Sequence, residues 1–193
     1  MEIKLTDLQV NNTQLSSDAF AEGNAGNINL AVDRALNVVF GSFISSSTFE
    51  LGNAGTIDIR AGELLIDSQD SGVFTGIGSN ANIGSQGNAG AVTVNSDGLL
   101  SVLNGGGISS STFSSGNANS VNISAGELLI NSQGFEAFAT GIHSNAEQGS
   151  LGDAGAVTVS SYRLLSVLNG GDIASTTFAL GDAGTIDIRA GEL

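Results

Sequence analysis

The chain has 193 residues, which is enough for one substantial hydrophobic core. Its formal net charge of −14 excludes the basic surface that nucleic-acid binding needs, and it opposes binding to anionic membranes. Because there is no cysteine, a disulfide framework and thiolate metal sites are excluded.

A tetrad that reads GNAG, or a close variant of it, recurs along the chain. Its first residues are Gly23, Gly52, Gly87, Gly116, Gly152 and Gly181. From Gly52 onward a short unit and a long unit alternate. Longer blocks repeat with the tetrads, such as GTIDIRAGEL at 55–64 and 184–193.

Each unit has the same internal order of short apolar runs. An alternating run such as 56–61 comes first, a second run such as 99–104 follows, and a third run such as 107–112 precedes the tetrad. Alternation of apolar and polar residues is typical of half-buried strands. We therefore expect Ile57 and Ile59 to face the interior, and the charged residues between them to face solvent.

These repeats predict an all-β fold, a right-handed parallel β-helix of about six coils with three short strands per coil. The expected coils span residues 1–26, 27–55, 56–90, 91–119, 120–155 and 156–184, with a partial coil at 185–193 that suggests a fragment of a longer protein. Equivalent residues should stack in interior ladders. One predicted ladder contains Ile57, Val92, Val121, Val157 and Ile186, and a second contains Leu15, Ile44, Val73, Ile108 and Ile173.

Two further features bear on this fold. An antiparallel sandwich is the alternative, because the NG pairs at 104–105 and 169–170 are typical of hairpins. The long units are expected to carry their extra residues just before the tetrad, near 79–86 and 144–151, as two projecting loops.

The repeat is similar to that of the filamentous-haemagglutinin-like exoproteins of two-partner secretion. The similarity lies in the order of its parts: GNAG, an alternating run, AGxLxI and then NGxxISxST. The similarity covers roughly residues 15–193. It implies a β-helical fibre that an outer-membrane transporter exports to the cell surface, where it acts in adhesion or aggregation. No part of the chain matches the export domain of that family, so the similarity implies the fibre region.

The sequence assigns no catalytic, cofactor-binding or metal-ligating residue, and it requires no cofactor. Residues 76–81 fit GxGxxA but are expected to enter a loop between strands, where no helix could hold a nucleotide. His143, with Glu147 four residues later, is expected to lie in an exposed loop, and a single histidine cannot form a zinc site.

Two sets of tetrad-linked residues remain open to more than one interpretation. The position after the first tetrad glycine is Asn24, Asn53, Asn88 and Asn117, and then Asp153 and Asp182. These residues are expected to form a structural ladder, with a weak cation site at the two aspartates as the alternative. A phenylalanine three residues before the tetrad, at Phe20, Phe49, Phe113 and Phe178, is expected to pack at a corner of the coil, with sugar stacking as the alternative.

The sequence thus predicts a non-catalytic segment of an extracellular or cell-surface fibre. Its expected partners are glycans or proteins of host or neighbouring cells, the transporter during export, and other copies through exposed coil ends. A fragment of a carbohydrate-active β-helix enzyme is the alternative. Most charges recur at equivalent positions, as Asp58 and Arg60 do at Asp187 and Arg189, whereas a catalytic site should occur only once.

Overall fold

The computed structural model describes residues 4–69, 71–135, 137–178 and 180–192, and all regular elements within these ranges are β-strands. In chain order the strands are β1 (Lys4–Asn11), β2 (Gln14–Ala19), β3 (Ile28–Val39), β4 (Phe43–Thr48), β5 (Ile57–Asp67), β6 (Thr75–Ala81), β7 (Val92–Leu103), β8 (Gly106–Thr112), β9 (Val121–Asn131), β10 (Thr140–Ala146), β11 (Val157–Leu168), β12 (Gly171–Thr177) and β13 (Ile186–Glu192).

The strands form two parallel sheets that run the length of the molecule. The odd-numbered strands form a seven-stranded sheet in the order β1-β3-β5-β7-β9-β11-β13, and the even-numbered strands form a six-stranded sheet. Each strand therefore pairs with its equivalent in the next coil. The predicted parallel β-solenoid of about six coils is confirmed, and the antiparallel sandwich is excluded.

The first predicted interior ladder is confirmed residue by residue. Val92 pairs with Ile57 on one side and with Val121 on the other, and the row continues to Val157 and Ile186. The side chain of Val92 is fully buried. Burial of such a side chain contributes about 1.5–3 kcal/mol, so the stacked rows are the main source of stability.

The first and second apolar runs of each unit form one long bent strand, whereas the sequence suggested two separate strands. In the pairing of β5 with β7, the register shifts between Ala61 and Leu64, as at a β-bulge. A glycine lies at this bend because a Cβ on Gly62 would stand 2.6 Å from the carbonyl oxygen of Arg34 in the preceding coil. The chain thus turns a corner without ending its hydrogen-bonded ladder.

In the second predicted ladder four of the five residues pair as expected and one does not. Leu15 pairs with Ile44 but is 41% exposed in the first coil. Ile44 pairs with Ile77, which pairs with Ile108, and Ile142 then joins Ile108 to Ile173. Val73, which was predicted for this row, is 54% exposed and lies outside β6. The prediction failed because the long unit carries extra residues before this strand.

A row of buried serines ties the six-stranded sheet to the tetrads. The hydroxyl of Ser79 accepts a hydrogen bond from the backbone N–H of Gly90 (2.8 Å) and donates one to the carbonyl of Gly55 in the preceding coil (2.9 Å). In the other coils the equivalent serine hydroxyl also accepts a hydrogen bond from a backbone N–H of its own tetrad. These serines are Ser17, Ser46, Ser110, Ser144 and Ser175. Each serine satisfies backbone groups that would otherwise be buried without a partner.

The tetrads themselves stack in close contact. The side-chain oxygen of Asn53 accepts a hydrogen bond from the backbone N–H of Asn88 (2.8 Å), and the carbonyl of Asn88 accepts one from the N–H of Ala54 (2.9 Å). The expected structural ladder is thus confirmed, with side chains bonded to the backbone of the next coil. A Cβ on Gly87 would lie 2.0 Å from the carbonyl oxygen of Gly52, so the contact requires glycine.

The NG pairs form sharp corners instead of hairpins. Asn104 and Gly105 both adopt positive φ angles, 47° and 80°, and they connect β7 in one sheet to β8 in the other. Positive φ is a conformation that asparagine and glycine tolerate better than other residues.

Replacement of Gly87 by alanine is expected to lower the free energy of unfolding by about 3 kcal/mol or more, because the new methyl group would overlap the preceding coil. Gly23 is the matched control. It occupies the same tetrad position, but a Cβ there has no neighbour within 4 Å. Denaturant unfolding of both variants measures the difference, and equal stabilities would contradict the stacking argument.

Replacement of Ser79 by alanine is expected to cost about 2 kcal/mol, because the N–H of Gly90 and the carbonyl of Gly55 would lose their partner. Ser109→Ala should change stability by less than about 0.5 kcal/mol, since this side chain makes no hydrogen bond within the described residues. Thermal unfolding tests the pair. A destabilisation of the same size in both variants would show that the serine row does not have this role.

Candidate functional site

The long units differ from the short ones mainly in the connection between their two strands. Residues 68–74 link β5 to β6, and residues 132–139 link β9 to β10. In the short unit between them, residues 104–105 suffice to link β7 to β8. The two long connections belong to coils that are separated by one short coil.

The predicted position of the projecting loops was therefore wrong in large part. Residues 79–81 and 144–146, which were expected in these loops, belong to β6 and β10. Only a small extension precedes the tetrad, where a tight turn is closed by a hydrogen bond from the N–H of Ser85 to the carbonyl of Asn82 (3.0 Å).

Phenylalanine rings from β4 and from the long connections lie on the outer face of the six-stranded sheet. A Cβ on Gly107 would lie 2.8 Å from the ring of Phe74, and one on Gly78 would lie 3.0 Å from the ring of Phe43. The glycines thus form a flat surface that accommodates the rings. Residues 76–81, which fit GxGxxA, lie within β6 and not in the expected loop, and two of their glycines have this packing role.

Four rings form an aromatic row along the solenoid axis. The ring centroids of Phe43 and Phe74 are 5.6 Å apart, those of Phe74 and Phe138 are 6.2 Å apart, and those of Phe138 and Phe135 are 6.3 Å apart. Each pair of this kind contributes about 0.5–1.5 kcal/mol beyond the burial of its area. The row therefore holds the two long connections against the sheet and against each other.

The tetrad repeat does not predict this row, but another repeat in the sequence is a signal for it. The block TGIGSNA at 75–81 returns as TGIHSNA at 140–146, and a phenylalanine stands shortly before each copy. Alignment of these two blocks would have placed Phe74 and Phe138 at similar positions of the two long units.

A cleft of about 370 Å³ lies on this face, over the short unit. Its floor is the outer face of β6, β8 and β10, and His143 is among the residues that line it. The rings of Phe43, Phe74 and Phe138 lie at one end of the cleft, and Phe113 and Glu147 lie at the other. Aromatic, hydroxyl, amide and carboxylate groups line it, among them Phe74, Phe138, Ser109, Asn80, Asn145 and Glu147.

One polar atom at the cleft is without a partner. The amide nitrogen of Asn145 donates a hydrogen bond to Glu147 (3.2 Å), but the amide oxygen of Asn145 is buried and accepts none from the described residues. A buried acceptor without a donor is costly, so rotation of this half-buried side chain toward a donor from a bound molecule would be favourable.

His143 was expected in an exposed loop, and this expectation was wrong. It lies in β10, is only 8% exposed, and places Nε2 2.7 Å from a carboxylate oxygen of Asp172. Ser109 pairs with His143 in register, but no hydrogen bond joins the two side chains within the described part of the chain. The arrangement therefore lacks the contact between nucleophile and base that acyl transfer requires.

Asp153 and Asp182 continue the asparagine row of the tetrads. A carboxylate oxygen of Asp153 accepts a hydrogen bond from the backbone N–H of Asp182 (2.8 Å), as the asparagine oxygens do in the other coils. A ladder role thus accounts for this contact. Within the described residues, no group of three or more histidine, aspartate or glutamate side chains could hold a metal ion.

The phenylalanines that precede the tetrads do not share one role. Phe20 and Phe49 stack with their ring centroids 4.6 Å apart, whereas Phe113 is half-buried and lines the cleft. Phe20 and Phe178 remain 70% and 61% exposed, which corner packing alone does not explain.

All four arginines of the chain are found on the seven-stranded sheet, away from the cleft. Arg34 pairs with Asp7, Arg163 with Glu127 (2.7 Å), and the other two with an aspartate two residues earlier in the same strand. The hydrogen bond from Arg34, with the backbone N–H of Ala35, holds the pKa of Asp7 below its ordinary value. The four arginine–carboxylate pairs are exposed to solvent, so their contribution to the free energy of unfolding is small.

The lowered pKa of Asp7 predicts a local response to acid. Its stabilising effect is complete above the unfolded pKa of about 3.9 and is lost as the pH falls through the lower folded value. Arg34→Gln should raise the pKa of Asp7 toward its ordinary value, which a carboxyl NMR titration measures. Arg60→Gln, on another coil, should leave Asp7 unchanged. If Arg34→Gln also left it unchanged, the assigned cause would be wrong.

No family model, no curated protein and no solved structure matches this chain. A search of the described residues for a helix long and apolar enough to cross a membrane found none.

Proposed function

We propose that this chain is a non-catalytic segment of a surface-exposed fibre that acts in cell adhesion or aggregation. The observation that carries the proposal is the stacking of nearly identical coils in register over the whole described chain. Such a stack is a rod, and a rod can hold binding surfaces away from a cell and present several of them at once. The parent protein would be longer and would be exported to the cell surface.

The similarity of the repeat text to filamentous-haemagglutinin-like exoproteins supports the same proposal. In that setting an outer-membrane transporter would be the partner during export, and glycans or proteins of other cells would be the partners afterwards. We expect copies of the isolated chain to associate end to end, because Ile186 and Ile188 of β13 are 46% and 42% exposed in it. In a longer parent protein the next coil would cover these residues.

A polysaccharide-cleaving enzyme is the alternative function. The pairing of His143 with Asp172 beside Ser109 is the one observation that favours it. Against it, cleavage needs several acids and bases that converge on one bond. Asp153, the best such candidate in the sequence, already accepts a hydrogen bond in the tetrad ladder.

Beads coated with the chain should be retained on cultured epithelial cells or on bacterial lawns more strongly than beads coated with the variant Val92→Asp. That variant places a charge in the fully buried ladder and should not fold. Adhesion depends on the folded rod in this proposal. Equal retention of both kinds of bead on every surface would overturn it.

A second measurement separates adhesion from catalysis. Product release from acidic and neutral polysaccharides, with and without Ca²⁺, should stay at the level of the buffer control. Reproducible cleavage that disappears in the double variant Asp153→Asn, Asp182→Asn, or in His143→Gln, would favour the enzyme instead.

A further inference from the structure

We propose that the cleft over the short unit binds a neutral oligosaccharide. This inference rests on the proposed adhesive function, for which it names the binding site and the ligand class. Three properties of the cleft support it: its shape, the chemistry of its lining and the distribution of charge around it.

The shape follows from the alternation of long and short units. Phe74 and Phe138, from the connections that precede β6 and β10, meet over Gly107 of the short coil between them. A notch remains beside these rings, along the outer face of β6, β8 and β10, and Phe113 and Glu147 line its other end. Its volume of about 370 Å³ lies within the range of about 300–1,000 Å³ that is typical of small-molecule sites.

The walls of the notch are rigid. Phe74 packs on Gly76 and Gly107 and meets the ring of Phe138 from the other long unit at an interplanar angle of 76°. The floor is a strand whose backbone is paired on both sides. The site is therefore formed before a ligand arrives, which reduces the entropy lost on binding.

The lining combines apolar rings with groups that both donate and accept hydrogen bonds. Ser109 and Asn80 supply a hydroxyl and an amide, and Glu147 supplies a carboxylate. The buried oxygen of Asn145 lacks a donor. A sugar has an apolar C–H face for the rings and adjacent hydroxyls that can donate to the amide and carboxylate oxygens.

The charge distribution selects a neutral sugar. Neither lysine nor arginine lines the cleft, and all four arginines pair with carboxylates on the other sheet. Glu147 stands at the cleft, and Asp172 lies against His143. His143 also lines the cleft, but its Nε2 is already 2.7 Å from a carboxylate oxygen of Asp172. An anionic polysaccharide would therefore meet an excess of carboxylates.

The competing explanation is that the aromatic row only fastens the long connections to the sheet. Packing accounts for the contacts among the rings, but it leaves the buried amide oxygen of Asn145, a residue that lines the cleft, without a donor. Binding measurements on the intact chain distinguish the two explanations.

The test is calorimetric and NMR titration of the chain with cellotetraose, chitotetraose and tetragalacturonate. At least one neutral sugar should bind, with chemical-shift changes at Ser109 and Asn145, and tetragalacturonate should bind at least tenfold more weakly. Phe138→Ala should weaken binding at least tenfold by removing a ring from the wall. Ser109→Leu should also weaken binding at least tenfold, because the larger side chain would fill the notch beside Gly78. The substitution removes no hydrogen bond within the described residues.

The matched control is Phe20→Ala, which removes an exposed ring outside the cleft. It should leave the affinity unchanged, and thermal unfolding should show that Ser109→Leu remains folded. Failure of both neutral sugars to bind, unchanged affinity in Ser109→Leu, or tighter binding of the anionic sugar would overturn the inference.

The bead assay separates this inference from the proposed function. If the sugar binds in the cleft but coated beads do not adhere, the site stands and the adhesive function fails. If beads adhere equally with Ser109→Leu and with the unchanged chain, adhesion stands and the cleft is not its site.

Discussion

The rest of the structure depends on one constraint, the short distance at which each coil must stack on the next. Parallel pairing sets this distance at roughly 4.8 Å along both sheets. At the tetrad the chain has to keep the same distance without being in a strand. The carbonyl of Gly52 consequently approaches the α-carbon of Gly87 so closely that no side chain fits between them. Repetition of the tetrad thus follows from the geometry of the stack.

The same constraint explains how a narrow interior can contain polar groups. Away from the strands the chain must still satisfy its backbone N–H and carbonyl groups. Serine hydroxyls such as that of Ser79 do this inside the coil, and asparagine side chains such as that of Asn53 do it at the tetrad. A serine, and an asparagine or aspartate at the tetrad, recur once per coil because the groups they satisfy recur once per coil.

The fixed distance between coils does not constrain the connections that lie outside the stacked strands and tetrads. The units differ from one another in these connections. The long connections, the aromatic row and the single histidine all lie on the side of the six-stranded sheet. The paired arginines lie on the seven-stranded sheet, where their partners largely repeat with the coils. The side of the seven-stranded sheet thus repeats with the coils. The side of the six-stranded sheet carries the non-repeating features that would recognise a ligand.

The sequence alone determined the solenoid, the register of the first ladder and the ladder role of the tetrad asparagines. It could do so because stacked coils require equivalent residues at equivalent positions, so that the contacts are visible as repeats. Where residues were inserted, only the tertiary structure decided the outcome. The extra residues of the long units could be assigned to either of two turns, and the wrong choice placed Val73 in the core and His143 in a loop.

The cleft could not be predicted from the sequence for a related reason. Phe74, Phe138 and Ser109 belong to three successive coils and are far apart along the chain, and only Ser109 lies in a strand. Their proximity depends on how the long connections fold back over the outer face of the sheet. That path is determined by contacts between rings and glycines, which occur at only a few places. The repeated blocks at 75–81 and 140–146 mark Phe74 and Phe138 as similar positions, but they do not show where the rings pack.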